Sequence, residues 1–378
     1  MEHSEGYVYV TGNEAAARAV KIARPKVIAA YPITPQTEIV ETLARYVEYK
    51  ELDSRFIDVE SEHSAISACI GAASMGARTF TATSSHGLLY MSEMIRWTAN
   101  ARLPIVMVNV NRALGPGWNI WADHNDSLSQ RDTGWIQFYT STVQEVYDTV
   151  LMAYCIAENR KVMLPVMINL DGFILSHIMQ PLELVDEDEY QKLLGPIKVP
   201  HALNFEKPHT LGNLVSSADN YLMQRDIKKS MLAAYDIIKD VEAEFEKLSG
   251  RSYSPIGRYM CDDADVVIIA MGTLAKESEA AASFLREDGR NVGVVKISQF
   301  RPFPREVVEL SAERFVILDR DYSPGYGGIL AQEIKSALYE AGIKKEITSI
   351  IAGLGGQEVT CEMIAGVIDE RGEKWLGV

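Results

Sequence analysis

The sequence predicts an α/β protein with two parallel-sheet domains, the second smaller than the first. Three observations carry this. Apolar runs of strand length alternate with helix-spaced patterns through the first 170 or so residues. The alternation then lapses, passes through a long polar helix, and resumes near residue 265. Hydrophobic residues make up 47% of the 378, enough to cover both faces of such sheets. The length fits two or three domains.

The elements follow in order. Glu14 to Ala23 has helical spacing, and Val27–Ala30 is a short strand. Tyr31-Pro32-Ile33-Thr34-Pro35 comes next. Proline biases the residue before it toward extended geometry, so Tyr31 and Thr34 are both expected to be extended. Pro35 suits the first turn of a helix running to about Tyr49, with Thr34 as its cap. Ile39, Val40, Leu43, Ala44 and Val47 form the packed side of that helix. Phe56–Val59 is a strand, and Ser64–Ala73 is a helix of small residues. Thr79–Thr83 is a strand, Leu88–Ala99 a helix, and Ile105–Val110 a strand. Val143–Ala157 is a helix, and Val162–Asn169 a buried strand.

From Gln180 to about Pro208 no periodicity holds, which reads as a long surface connection. Leu222 to Leu248 reads as one solvated helix with Ile237, Ile238, Val241 and Phe245 on its packed side. Strands then recur at Val266–Met271, Val292–Ile297, Phe315–Leu318 and Ile347–Ile351, with helices between. The expected organisation is a first domain over 1–180, a linker with the long helix over 181–255, and a second domain over 256–378.

The formal net charge of −15 argues against a nucleic-acid partner. No apolar run reaches the roughly 20 residues of a membrane span. The N-terminus, MEHSEGYVYV, lacks a basic region followed by an apolar core, so no secretory signal is read. Cys69, Cys155, Cys261 and Cys361 are scattered, with no C-x-x-C. They read as free thiols in a reducing, cytoplasmic compartment, with no metal site of this chain's own.

Ligands of open parallel sheets bind at the carboxyl ends of the strands. Three features fall there: Thr34; Glu60-Ser61-Glu62-His63-Ser64; and Asn111-Arg112, followed by Gly115-Pro116-Gly117-Trp118. Each has a bland alternative. Thr34 can be a cap, Glu60 and Glu62 can be acids at a helix start, and Arg112 can be a surface arginine. Together they offer a hydroxyl, a carboxylate and a guanidinium to one crevice. Arginine and threonine suit an anionic carboxylate, and a carboxyl group beside them suits proton transfer. His86 and His124 lie on loops near the same end, where a hydrogen-bonding role is as natural as catalysis. The glycine-rich stretches 323–328 and 353–356 read as turns, with an anion or partner contact as the other possibility.

These residues carry a resemblance. Tyr31-Pro32-Ile33-Thr34-Pro35, Glu60-Ser61-Glu62, Thr81-Ala82-Thr83-Ser84-Ser85-His86-Gly87 and Arg112-Ala113 resemble the α subunits of 2-oxoacid:ferredoxin oxidoreductases. So do Asp123-His124-Asn125-Asp126, Arg131-Asp132-Thr133-Gly134-Trp135, Asp171-Gly172-Phe173 with Ser176-His177, and Phe300-Arg301-Pro302-Phe303-Pro304. The ordered set spans nearly the whole chain and is most like the multi-subunit pyruvate synthases (pyruvate:ferredoxin oxidoreductases).

The resemblance implies a pyrimidine-type thiamine diphosphate-binding domain followed by a transketolase C-terminal-like domain. It implies thiamine diphosphate shared with a β subunit, which carries Mg2+ and a [4Fe-4S] cluster. Further γ- and δ-type subunits carry more clusters, and ferredoxin accepts the electrons. The implied reaction is reversible: a 2-oxoacid, coenzyme A and oxidised ferredoxin give acyl-coenzyme A, carbon dioxide and reduced ferredoxin.

Matched residue by residue, Glu62 bonds the cofactor's aminopyrimidine. A carboxyl group there favours the tautomer that takes a proton from the reactive carbon. Ser85 is placed at the cofactor. Thr34 and Arg112 are placed at the substrate carboxylate, with the prolines holding the threonine over the reactive carbon. Gly115-Pro116-Gly117-Trp118 stands where a Ser-Ala-Pro-like segment is expected. Pyruvate is therefore the first reading, with a branched-chain or aryl 2-oxoacid (2-oxoisovalerate or phenylglyoxylate type) as the alternative. The rival readings are a non-catalytic assembly subunit and a thiamine enzyme with another electron acceptor.

Overall fold

The structure, a computed structural model, describes residues 7–377. Most of the N-terminal segment read for a secretory signal lies outside the described residues.

The larger sheet has the strand order Gln299–Arg301, Ile136–Tyr139, Val166–Asp171, Val106–Asn111, Thr79–Thr83, Val27–Ala30, Arg55–Asp58. All run parallel except Gln299–Arg301, which comes from the second half of the chain and pairs antiparallel with Ile136–Tyr139. Side chains alternate between the two faces. Val106, Val108 and Val110 pack with the helices Gly12–Ala23 and Val143–Ala157 on one side. Met107 packs with Ala65, Ile66 and Cys69 of Glu62–Ser74 on the other.

The smaller sheet has the order Gly372–Trp375, Glu346–Ile351, Arg314–Asp319, Val266–Ala270, Val292–Ile297, Ile256–Tyr259. Here only Ile256–Tyr259 is antiparallel. The long helix runs Ser217–Ser249, capped by Ser216 and closed by Gly250 in the left-handed conformation. Ile237, Ile238, Val241 and Phe245 are buried, as their spacing predicts. No helix among the described residues is long and apolar enough to cross a membrane.

Three expectations are corrected. The supposed surface connection after residue 180 holds the strand Gln180–Glu183, paired antiparallel with Tyr7–Val10. It also holds the helix Glu187–Leu194, whose Tyr190 is fully buried and donates to the Leu151 carbonyl at 2.9 Å. The acids there form a first helical turn under the Asp186 cap, which hides the amphipathic period. Leu88–Ala99 is two helices, Ser85–Tyr90 and Ser92–Asn100, meeting at Met91. Thr34 is not a helix cap: the chain turns through residues 34–36, Gln36 takes the cap position, and the helix starts at Thr37.

Candidate functional site

The residues named from the sequence gather at one end of the larger sheet. Thr34 follows Val27–Ala30, Glu62 follows Arg55–Asp58, Ser85 follows Thr79–Thr83, and Arg112 follows Val106–Asn111. These strands are parallel, so their carboxyl ends open on the same side.

Glu62 is placed by a helix cap. Ser61 is extended and its hydroxyl accepts the Ser64 N–H at 3.2 Å, which makes Glu62 the first helical residue. Glu62 is buried, yet its carboxylate has no hydrogen-bond partner among the described residues. Gly87 lets the carboxylate pack directly against the chain, where any side chain would collide with it. A Cβ at Gly87 would lie 2.6 Å from Glu62 Oε1 and 2.7 Å from Thr83 Oγ1. The Thr83 hydroxyl is itself buried without a partner among the described residues. Buried polar groups normally find partners, so this pair has bonding capacity left for a ligand. Glu60, the other acid of the segment, is exposed, and its hydrogen bond from Ser64 holds it below the ordinary carboxylate range.

Thr34 and Arg112 form one unit. The Thr34 carbonyl accepts Arg112 Nη1 at 2.7 Å, while the exposed Thr34 hydroxyl is unpartnered among the described residues. The Gln36 side chain ties the turn to the Ala82 carbonyl at 2.7 Å. Arg112 is buried, with Nη2 3.2 Å from His86 Nδ1 and the Trp118 ring centre 4.8 Å from Cζ. Its Nε is buried without a partner among the described residues. Burial pushes the guanidinium pKa down, against the nearby negative charges of Asp126 and Glu62. His86 Nε2 also receives the Gly115 N–H at 2.9 Å. A neutral imidazole offers one acceptor nitrogen, so His86 serves either the arginine or the Gly115 loop at a time.

Ser85 sits at φ +49, rare for a residue with a side chain, and is fully buried. Its hydroxyl donates to the Ala113 carbonyl at 2.8 Å. Its N–H donates to Asp126 at 3.0 Å. Asp126 also accepts the Arg112 N–H at 3.2 Å and Asn111 Nδ2 at 2.7 Å. One buried carboxylate thereby ties the Ser85 loop to the Arg112 loop. Burial raises its pKa to about 6, against the pull of those hydrogen bonds. The sequence offers Asp126 only as part of a motif. No local signal announces its two distant partners.

The carboxyl ends of the two sheets meet at Asp171. Its Oδ1 lies 2.6 Å from His124 Nε2, and both residues are 1% exposed. Arg320 Nη1 is 3.0 Å from Oδ2, and the Thr273 N–H donates to Oδ2 at 2.8 Å. Burial alone would raise the Asp171 pKa. The charges of Arg320 and His124, with the hydrogen bonds, outweigh it and hold the carboxyl well below its usual range. The glycine turn 353–356 also touches the larger domain: Asn119 Nδ2 donates to the Gly355 carbonyl at 2.8 Å. A Cβ on Gly356 would lie 2.4 Å from that of Trp121. The turn read from the sequence is therefore also a seat for residues 119–121.

Residues 18–243 match the family model described as pyruvate flavodoxin/ferredoxin oxidoreductase, thiamine diphosphate-binding. Residues 264–364 match pyruvate:ferredoxin oxidoreductase core domain II. The ketoisovalerate oxidoreductase subunit VorA of Pyrococcus horikoshii is 46% identical, over 98% of this chain and 95% of its own. The pyruvate synthase subunit PorA of Methanocaldococcus jannaschii is 44% identical, over 98% and 97%. Among solved structures, the 2-oxoglutarate:ferredoxin oxidoreductase of Magnetococcus marinus superposes with a TM-score of 0.76 at 20% identity, over 98% of this chain and 66% of that longer one. A split-gene transketolase superposes with a TM-score of 0.56 at 14% identity, over 95% and 93%. Both likenesses are of fold.

Proposed function

The chain belongs to the 2-oxoacid:ferredoxin oxidoreductase family as an α subunit, and from that premise we propose that its substrate is pyruvate, converted with coenzyme A to acetyl-coenzyme A and carbon dioxide. The observation that carries the reading is the Glu62 carboxylate, on a buried residue and unpartnered among the described residues, on the same sheet end as the Arg112–Thr34 pair.

The residues present fit thiamine diphosphate. When bound, it supplies the carbon that adds to the ketone and takes up the electron pair left by carbon dioxide. Glu62 would exchange a proton with the aminopyrimidine. Ser85 shapes the cofactor side through its fixed backbone. The Arg112 guanidinium holds the 2-oxoacid carboxylate, and the Thr34 hydroxyl donates to the same substrate. Burial of Arg112 strengthens its contact by excluding water.

The rest of the machinery belongs to other chains in this reading. A β-type subunit holds the diphosphate end, Mg2+ and a [4Fe-4S] cluster, and γ- and δ-type subunits carry electrons to ferredoxin, all in the cytoplasm. The scattered cysteines of this chain agree with that division, since they offer no cluster motif.

The second reading is a branched-chain 2-oxoacid. The 46% identical relative named ketoisovalerate oxidoreductase favours it. The deciding experiment purifies the native complex and follows ferredoxin reduction with pyruvate, 2-oxoisovalerate, 2-oxoglutarate and phenylglyoxylate. Pyruvate is expected to give the highest kcat/KM. A complex that reduces ferredoxin with none of them would remove the catalytic reading.

A further inference from the structure

We propose that Trp118 is the residue of this chain that limits the size of the 2-oxoacid side chain. This rests on the reading of Arg112 as the carboxylate holder. The Trp118 ring centre lies 4.8 Å from Arg112 Cζ, so the indole lies directly against the guanidinium. A carboxylate approaches a guanidinium in its plane. The carbon chain attached to that carboxylate then leaves alongside the indole. Trp118 is 52% exposed, so half of its surface is free to meet that chain.

The loop is built to keep the indole there. A Cβ on Gly115 would lie 2.5 Å from Trp118 Cδ1, so only glycine lets the ring lie back. Gly117 has φ +85, the left-handed region that glycine tolerates, and it turns the chain back toward Arg112. Asn119 then locks the far end, donating to the Gly355 carbonyl at 2.8 Å and accepting the Trp121 N–H at 2.9 Å. The ring also meets His86 edge-on, with centroids 5.9 Å apart. Gly115, Gly117 and Trp118 thus act together. The glycines are there to seat the indole beside the arginine.

The experiment measures kcat/KM for pyruvate and for 2-oxoisovalerate in the complex with its native partner subunits, with thiamine diphosphate content determined for each variant. One methylene in an apolar pocket discriminates by roughly 10–200-fold. Trp118→Ala should therefore raise the 2-oxoisovalerate-to-pyruvate ratio by at least ~10-fold. Trp118→Phe should stay near wild type. Gly115→Ala keeps the tryptophan but pushes it off its seat, and should move the ratio the same way. It also serves if Trp118→Ala fails to assemble. A ratio that falls in these variants would make the indole a platform for larger substrates and overturn the proposal. An unchanged ratio in both Trp118→Ala and Gly115→Ala would do the same. A wild-type complex inactive on every 2-oxoacid would instead remove the functional reading beneath it.

Discussion

Arg112 donates from Nη1 to the backbone carbonyl of Thr34 at 2.7 Å, binding together two residues 78 positions apart. The bond leaves the threonine hydroxyl free and fixes the peptide that carries it. The two residues named separately from the sequence are therefore mechanically coupled, and their substitutions should behave differently.

Arg112→Ala removes both the carboxylate partner and the tie to Thr34. The kcat/KM for the preferred 2-oxoacid should fall by the equivalent of about 2–5 kcal/mol, with thiamine diphosphate retained. Arg112→Lys should recover only part of this, because an ammonium lacks the planar fork. Thr34→Val should cost about 1–3 kcal/mol in kcat/KM. Because Gln36 and not Thr34 caps the following helix, Thr34→Val should leave the melting temperature unchanged. Normal kcat/KM in Arg112→Ala would remove the clamp.

Glu62→Gln should leave the complex assembled and lower turnover by at least ~10²-fold. Glu60→Gln should be close to wild type, since Glu60 is exposed and bonded to Ser64. Steady-state ferredoxin reduction by both variants is the check. Equal losses in the two would mean that the acids act on stability and not on proton transfer.

Asp171→Asn leaves the Arg320 charge buried without its partner, and unfolding in denaturant should register a loss of about 3–5 kcal/mol at pH 7. The Asp171 carboxyl is held below its ordinary value in the folded chain. Its stabilisation is therefore present above the unfolded pKa of about 3.9 and is lost as pH falls below it. The gap between wild type and variant should shrink on acidification. A constant gap would assign the effect to packing.

Glu242, buried on the long helix, shows the opposite sign. Burial raises its pKa to about 8, with Lys239 opposing and Glu306 adding to the rise. Between about 4.5 and 8 the folded state holds a proton that the unfolded state releases, so stability declines with pH through that window. Glu242→Gln should melt higher than wild type at pH 9 and alongside it at pH 4.5. Thermal unfolding at the two pH values decides, and identical curves at pH 9 would refute the assignment.

Val27–Ala30 and Val266–Ala270 were legible because they are continuous apolar runs, and they lie within a residue of where the sequence puts them. The short outer strands Gln180–Glu183 and Gln299–Arg301 were not, since three or four residues give no period to read. Thr34, Glu62 and Arg112 stood out because each follows a strand. Asp126 did not, because its bonds to Ser85 and Arg112 span 41 and 14 residues and no local pattern encodes them. The cap assigned to Thr34 failed because a whole turn intervenes before the helix.

Gln299–Arg301 lies in the second half of the chain but closes the open side of Ile136–Tyr139 in the first, where Tyr139 N–H donates to the Ser298 carbonyl at 2.8 Å and Phe300 packs on the Tyr139 ring. A gene cut near residue 255 would thus yield an N-terminal fragment with a bare row of backbone donors and acceptors. Such a row invites pairing between copies and precipitation on expression. A chimaera that swaps the C-terminal half with that of another chain must bring its own stretch to cover that row, or the recombinant will be lost to aggregation before its chemistry can be assayed.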